Sequence, residues 1–348
     1  MALSNSAPLE SCAICNKDAF HRCAGCAEGV DISGSPTVTW YCSKACQTAH
    51  WPTHKIECKD TSYRKHFYRA GDLLQQCFHL FSRKFWNHTW SSWERDETGK
   101  LYAWMHGPDT GEDEKLYLFP DECDDLPDRE KHAVLATQKG PAALLTFHQL
   151  VKAVLRGSCT NVEEIMVDAK QHAVVVWNTK KVDGEPLEKP GDVPETHQLY
   201  RVTLKDGNVY ALDLTSAQFG VSPVMPFDRY QAAVVHRFVS GRSFGRCITY
   251  IQDGCQTRAM FALVCHKEVV DGDFKFDSRM MYYEEMIGRV VKRGGTMGAR
   301  DLKSPEVKYQ RSREDFLQRF TAGLALELTE LKSQDGFAGD AARRAKAM

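Results

Sequence analysis

The sequence predicts a small cysteine-rich module followed by a larger α+β domain, and three observations carry that prediction. Cysteine is unevenly spread: of the 13 cysteines in 348 residues, seven fall between Cys12 and Cys58, while Cys77, Cys123, Cys159, Cys247, Cys255 and Cys265 stand singly over the rest. Beyond Cys58, Phe67, Leu74, Phe78, Phe81 and Phe85 recur at helix-like intervals. Further on, "HQLYRVTL" and "VYALDL" flank Lys205-Asp206-Gly207-Asn208, and Asp-Gly between alternating apolar runs is a hairpin signal.

Composition narrows the class. The chain is 43% hydrophobic and 26% charged, with a formal net charge of −1. That balance gives no electrostatic reason to expect nucleic acid or a membrane surface. No apolar run approaches the roughly 18 to 20 residues needed to cross a bilayer. The opening MALSNSAPLE lacks a basic stretch followed by an apolar one, so no secretory signal is expected. No strong basic targeting run separates nucleus from cytoplasm, and the expected location is intracellular, in one of the two.

The clustered cysteines read Cys12-x2-Cys15-x7-Cys23-x2-Cys26-x15-Cys42-x3-Cys46-x7-His54-x3-Cys58. Without an export signal, close pairs of this kind favour metal in a reducing compartment over a disulfide framework. Structural zinc takes four ligands, mostly thiolate with some imidazole. Eight ligands in four pairs therefore imply two zinc ions, each with no position left for water. The pairs allow two assignments, sequential (first with second, third with fourth) or interleaved (first with third, second with fourth), and the spacing does not choose between them. Zinc also answers a folding problem. A segment of this length buries too little to fold alone, and a structural zinc supplies on the order of 10 kcal/mol or more.

The run Tyr41-Cys42-x3-Cys46-Gln47-x2-His50-Trp51-x2-His54-Lys55-x2-Cys58, after two CxxC pairs, resembles a MYND-type zinc finger over residues 12–58. The resemblance implies a small cross-brace zinc finger, ahead of the larger α+β domain that the downstream pattern predicts. It implies the interleaved assignment, with Cys12, Cys15, Cys42 and Cys46 on one zinc and Cys23, Cys26, His54 and Cys58 on the other. It leaves His50 and His21 outside the ligand set. It further implies protein or proline-rich peptide partners, with Gln47 and Trp51 lining the peptide groove; a Trp face suits proline stacking and a Gln amide suits an extended backbone. Lys17, Arg22, Lys44 and Lys55 balance Asp18, Glu28, Asp31 and Glu57, and seven thiolates against two zinc ions leave the module net negative. That argues against DNA binding by the finger.

The expected organisation is a flexible N-terminus at 1–11, the finger at 12–58, an α+β domain at 59–335 and a flexible tail at 336–348. Within the large domain a helix is expected at about 70–86, short strands at 99–105 and 116–119, and a helix at 142–156 started near Pro141 and stopped by Gly157. A strand is expected at 172–177, a Pro/Gly-rich loop at 181–196, and apolar segments at 232–239 and 260–265. A last helix is expected to open at Ser312, with Asp315 approximating a capping box.

One constellation raises an enzymatic alternative. His197 opens one arm of the hairpin and Asp213 closes the other, and this stretch faintly resembles the His/Asp half of transglutaminase-like or papain-like cysteine enzymes. With Cys159 as nucleophile the three would make a cysteine-type hydrolase or acyl-transfer enzyme. Yet Cys159 follows a helix, whereas a helix N-terminus is what lowers a thiol pKa, and the usual nucleophile motif is missing. The plainer account of His197 and Asp213 is a cross-strand pair. A SET-type methyltransferase would need further motifs, and only "NHT" at Asn87–Thr89 approaches one. The function expected first is therefore that of a zinc-binding protein-interaction adaptor or regulatory protein.

Overall fold

The structure of the chain, a computed structural model, describes residues 10–86, 90–106, 116, 119–170, 174–180, 195–252 and 278–333. Its organising element is helix α1, Lys44–Lys84, 41 residues long and about 60 Å at ~1.5 Å per residue. The first turn is set by Ser43, whose extended backbone precedes the helix and whose hydroxyl accepts from the Cys46 amide at 3.3 Å. The sequence suggests a helix only from about residue 70, and two features hide the earlier part. Pro52 lies inside α1, where it removes one ladder hydrogen bond. Between Cys58 and Phe67 the buried face is polar, made by Thr61, Lys65 and His66. The helix runs unbroken through position 58/59.

The finger upstream is built from four two-residue strands, β1 His21–Arg22, β2 Gly29–Val30, β3 Pro36–Thr37 and β4 Trp40–Tyr41. They pair as β1 with β4 and β2 with β3, both antiparallel. Ser11 bridges Asp18 and the Glu10 carbonyl accepts from Ala19, so these two residues are tied to the finger.

Among the described residues, the large domain holds two sheets. Strands β5 Trp90–Arg95, β6 Leu101–His106 and β8 Val175–Lys180 form one; β5 and β6 are antiparallel, β6 and β8 parallel. Strands β7 Cys159–Ala169, β9 Glu195–Leu204, β10 Val209–Leu212, β11 Val224–Pro226 and β12 Val235–Ser243 form the other, antiparallel in the order β11-β10-β9-β7-β12. The expected hairpin is β9–β10, and Gly207 supplies the positive φ of its turn, 83°.

The helices are α2 Asp128–Ala136, α3 Gly140–Thr146, α4 His148–Val154, α5 Phe227–Ala233, α6 Arg246–Gln252, α7 Ser278–Gly294, α8 Ala299–Leu302 and α9 Glu306–Ser333. The five-stranded sheet is buried on both sides, and alternation sorts its residues. Tyr200, Val202, Leu204, Tyr210 and Leu212 face the main core with Phe67, Leu74 and Phe78 of α1, Phe147, Ile287 of α7 and Phe320 of α9. Leu199 and Ala211 face a second cluster with Ile165, Val167 and Tyr230. Gly71 lets α1 approach the sheet edge: a Cβ there would lie 2.2 Å from a Val224 methyl.

Several expected elements differ in extent. The single helix expected at 142–156 is α3 and α4, divided at Phe147. The strand expected at 172–177 is Val175–Lys180. Leu116 and Phe119 belong to no strand. The segment at 232–239 ends α5 and begins β12. Residues 1–9, 181–194, 260–265 and 336–348 lie outside the described residues.

The last helix opens at Glu306, with Ser312 and Asp315 inside it; Asp315 pairs with Arg319 instead of capping. A long-range contact caps it. Glu28 of the finger accepts from the Glu306 amide at 3.2 Å and, through its other oxygen, from Lys65 Nζ at 2.7 Å. A carboxylate at a helix N-terminus is favourable. Arg69 continues the junction by donating to the carbonyls of Leu302 at 3.0 Å and Ser304 at 2.7 Å and stacking 4.0 Å over the Tyr309 ring. Finger, α1 and α9 meet here around side chains nearly three hundred positions apart in sequence.

Candidate metal centre

Each ligand pair is presented by a local device. Cys12 and Cys15 sit on a tight turn closed by Cys12 N–H to the Lys17 carbonyl at 2.8 Å and Asn16 N–H to the Cys12 carbonyl at 3.0 Å. Asn16 has φ 58°, a conformation asparagine tolerates better than most residues. Cys23 is anchored by its amide to the Thr39 carbonyl at 2.9 Å. Cys42 precedes α1 and Cys46 lies in its first turn. His54 and Cys58 are four apart on α1 and so share a face.

The ligand atoms gather into two groups, Cys12, Cys15, Cys42 and Cys46, and Cys23, Cys26, His54 and Cys58, with the atoms of each group all within 4.8 Å of one another. This is the interleaved assignment. Zinc–sulfur bonds of about 2.3 Å and zinc–nitrogen bonds of about 2.05 Å place tetrahedral neighbours about 3.8 Å apart for S···S and about 3.6 Å for S···N. In the first group Cys15–Cys42 is 3.4 Å, Cys42–Cys46 3.6 Å and Cys15–Cys46 3.9 Å. In the second, Cys23–Cys58 is 3.8 Å and Cys26 Sγ to His54 Nε2 is 3.5 Å. Donor types and spacing fit two structural zinc ions, one bound by four thiolates and one by three thiolates and an imidazole.

The electrostatics agree. Burial opposes ionisation of Cys12, but the backbone amides of Cys15, Cys42 and Ile14 outweigh it and bring the thiol down to about 6. In the second group burial and then the Cys23 thiolate push Cys58 up to about 12. Three thiols this close cannot all ionise without a counter-charge, which a dication supplies. Burial, followed by the neighbouring His50, keeps the His54 pKa low and the ring in the neutral form that binds metal.

His50 lies in neither group. Its Nδ1 is 3.1 Å from the Tyr41 hydroxyl, and its ring stacks on His54 with centroids 5.3 Å apart. Tyr41 is fully buried, and the Tyr41 and His50 rings both pack against the ligand His54, with centroids 6.2 and 5.3 Å away. Tyr41 stands beside Cys42 in the sequence, with no local signal for this packing. His21 is exposed on β1.

Residues 12–58 match the family model of the MYND finger, and this segment is a MYND finger. MYND fingers are zinc-binding protein-interaction modules. No curated protein and no solved structure matches the chain.

The alternative catalytic set does not assemble. His197 and Asp213 meet, with Nε2 to Oδ2 at 2.9 Å, and both are almost fully buried. Cys159 is paired with Leu204 while His197 is paired with Val167, so the thiol lies seven residues along β9 from the imidazole, roughly 23 Å. Cys159 packs against the main core, whereas Phe219, the ring against His197 at 4.8 Å, belongs to the second cluster. Burial also pushes the Cys159 thiol up, away from the thiolate a nucleophile needs. Asp213 has further partners: the Tyr230 hydroxyl donates to Oδ2 at 2.8 Å, and the Thr215 amide and hydroxyl donate to Oδ1 at 2.9 Å. Burial alone would raise the Asp213 carboxyl; His197 and these donors outweigh it and hold it below the usual carboxylate range. The arrangement is a satisfied polar knot in the sheet. The nearest SET-like run, Asn87–Thr89, lies outside the described residues.

Two outcomes follow from this geometry. His54→Ala should lower the zinc content of the purified chain below two equivalents by elemental analysis, while His50→Ala should retain two. Asp213→Ala should cost about 3–5 kcal/mol in urea unfolding, because it strands buried donors. Asp213 has a depressed folded pKa, so its stabilisation is present above the unfolded value of about 3.9. The gap between wild type and Asp213→Ala should therefore shrink as pH falls through and below that value.

Proposed function

We propose that this chain is a zinc-dependent adaptor or regulatory protein whose finger takes extended, proline-rich peptide segments of partner proteins. The supporting observation is Trp51: it is 49% exposed although it sits one turn from the metal ligand His54. Gln47 is half-buried one turn before it on α1. Spacing of four places both on one face, with an apolar ring beside a polar amide, which is what an extended proline-containing backbone requires. The Trp51 ring stands edge-on to His54 at 6.3 Å, so the zinc site holds the binding face rigid.

The large domain contributes a scaffold in this reading. No described helix is long and apolar enough to cross a membrane, and seven thiolates on zinc suit a reducing intracellular compartment, nucleus or cytoplasm. The test uses fluorescence anisotropy of the zinc-loaded full chain with a pool of fluorescein-labelled proline-rich peptides. Trp51→Ala should weaken binding by about tenfold or more, as removal of an aromatic anchor does, with two zinc equivalents retained. Unchanged binding by Trp51→Ala, or no binding by wild type, would remove this assignment.

A further inference from the structure

Beyond the finger, three lysines from three separate elements converge on one aromatic ring. The Nζ atoms of Lys59 on α1, Lys205 in the β9–β10 turn and Lys303 after α8 lie 5.8, 5.5 and 4.3 Å from the centroid of Tyr63. Lys59 and Lys205 are exposed, and Lys303 and Tyr63 are half-buried. We propose that this cluster binds the phosphoryl group of a phosphorylated serine or threonine on a partner protein.

Like charges gathered this way repel, and the fold relieves only part of that repulsion. Burial lowers the Lys303 pKa, and Lys205 and Lys59 lower it further. Among the described residues no carboxylate lies within ion-pair distance of the three ammonium groups. Asp206, in the same turn as Lys205, is engaged by Arg64 at 2.6 Å. Asp60 and Glu57 stand nearby on α1, and neither pairs with the three ammonium groups. Attraction to the Tyr63 ring face offsets part of the crowding. An anion placed among the ammonium groups would offset it far better.

The chemistry selects the anion. A phosphoryl monoester carries about −1.5 to −2 charges on three acceptor oxygens, against three point-charge donors that can each turn toward one of them. A carboxylate is matched by the planar fork of arginine, and Arg64 is already committed to Asp206. A nucleic-acid backbone needs a stripe of cations along its length, and this is a single focus. The net charge of −1 conceals it, because Lys59, Lys205 and Lys303 are far apart in sequence. The site does not involve Trp51 and stands apart from the peptide face proposed above.

The experiment uses the zinc-loaded full chain and two fluorescein-labelled degenerate peptide pools, identical except that the central serine is phosphorylated in one. Anisotropy should show the phosphorylated pool binding about tenfold more tightly. Each single Lys→Gln substitution should reduce that preference by about two- to five-fold, and the triple K59Q/K205Q/K303Q should abolish it. W51A should keep it. The triple variant should melt no lower than wild type, since it removes mutual repulsion. Independently of any variant, the phosphorylated pool should shield Lys59, Lys205 and Lys303 of the wild-type chain from acetic anhydride, read by mass spectrometry. Equal binding of the two pools, or a preference that survives the triple substitution, would overturn the proposal. So would lysine-dependent binding of inorganic phosphate as tight as that of the phosphorylated pool, which would assign the site to the free ion. Tighter lysine-dependent binding of a single-stranded DNA dodecamer would overturn it in favour of nucleic acid.

Discussion

Metal coordination replaces hydrophobic burial in the first part of this chain, and the rest of the architecture is attached to that substitution. The finger's buried apolar cluster consists of Cys12, Ala19, Cys23, Cys26, Tyr41 and Cys58. Apart from Ala19 and Tyr41, every member is a zinc ligand. Strands of two residues each cannot hold themselves together, so the tetrahedra are the core. Interleaving strengthens this. Each ion joins one pair from the early loops to one pair beginning with Cys42 or lying on α1, so both ions clamp the loops to the same helix.

That helix converts a local metal site into a long-range one. The segment carrying Cys46, His54 and Cys58 continues without a break into Phe67, Leu74 and Phe78, which lie in the main core of the large domain. Glu28, two residues past the ligand Cys26, caps α9 and pairs with Lys65. Glu28 is partly exposed, so the ion pair itself contributes modestly, about 1 kcal/mol or less. Its larger effect is on geometry, since it fixes the finger loop, α1 and the start of α9 in one arrangement. Trp51 and Tyr63, the centres of the two proposed binding sites, are therefore carried on one helix, about three turns apart.

The legible parts of this structure were those whose cause is local. The metal ligands could be read because zinc dictates both residue type and spacing, and the β9–β10 hairpin because Asp206-Gly207 encodes its turn. The start of α1 was obscured by Pro52 and by a buried face of Thr61, Lys65 and His66; Lys65 and His66 find their partners in distant segments, Lys65 Nζ at Glu28 and His66 Nε2 at the Val154 carbonyl, 3.0 Å away. The start of α9 was misplaced because its cap, Glu28, is supplied from the finger. The pairing of His197 with Asp213 was foreseen from the hairpin register. What that register could not show was that Tyr230 and Thr215 complete the pair and that Cys159 lies at the far end of the strand on the other face. The lysine focus had no sequence signal at all, since its members come from α1, a hairpin turn and a loop near the C-terminal helix.

The central claim is that zinc, and not side-chain packing, holds the first part of α1 while packing holds the second. Amide hydrogen exchange along the helix, measured on the zinc-loaded chain and after chelation to a metal content shown by elemental analysis to be nil, separates the two. The account predicts that protection collapses over Lys44–Cys58 on metal removal and persists over Leu73–Phe81. Undiminished protection of Lys44–Cys58 in the metal-free chain would contradict it.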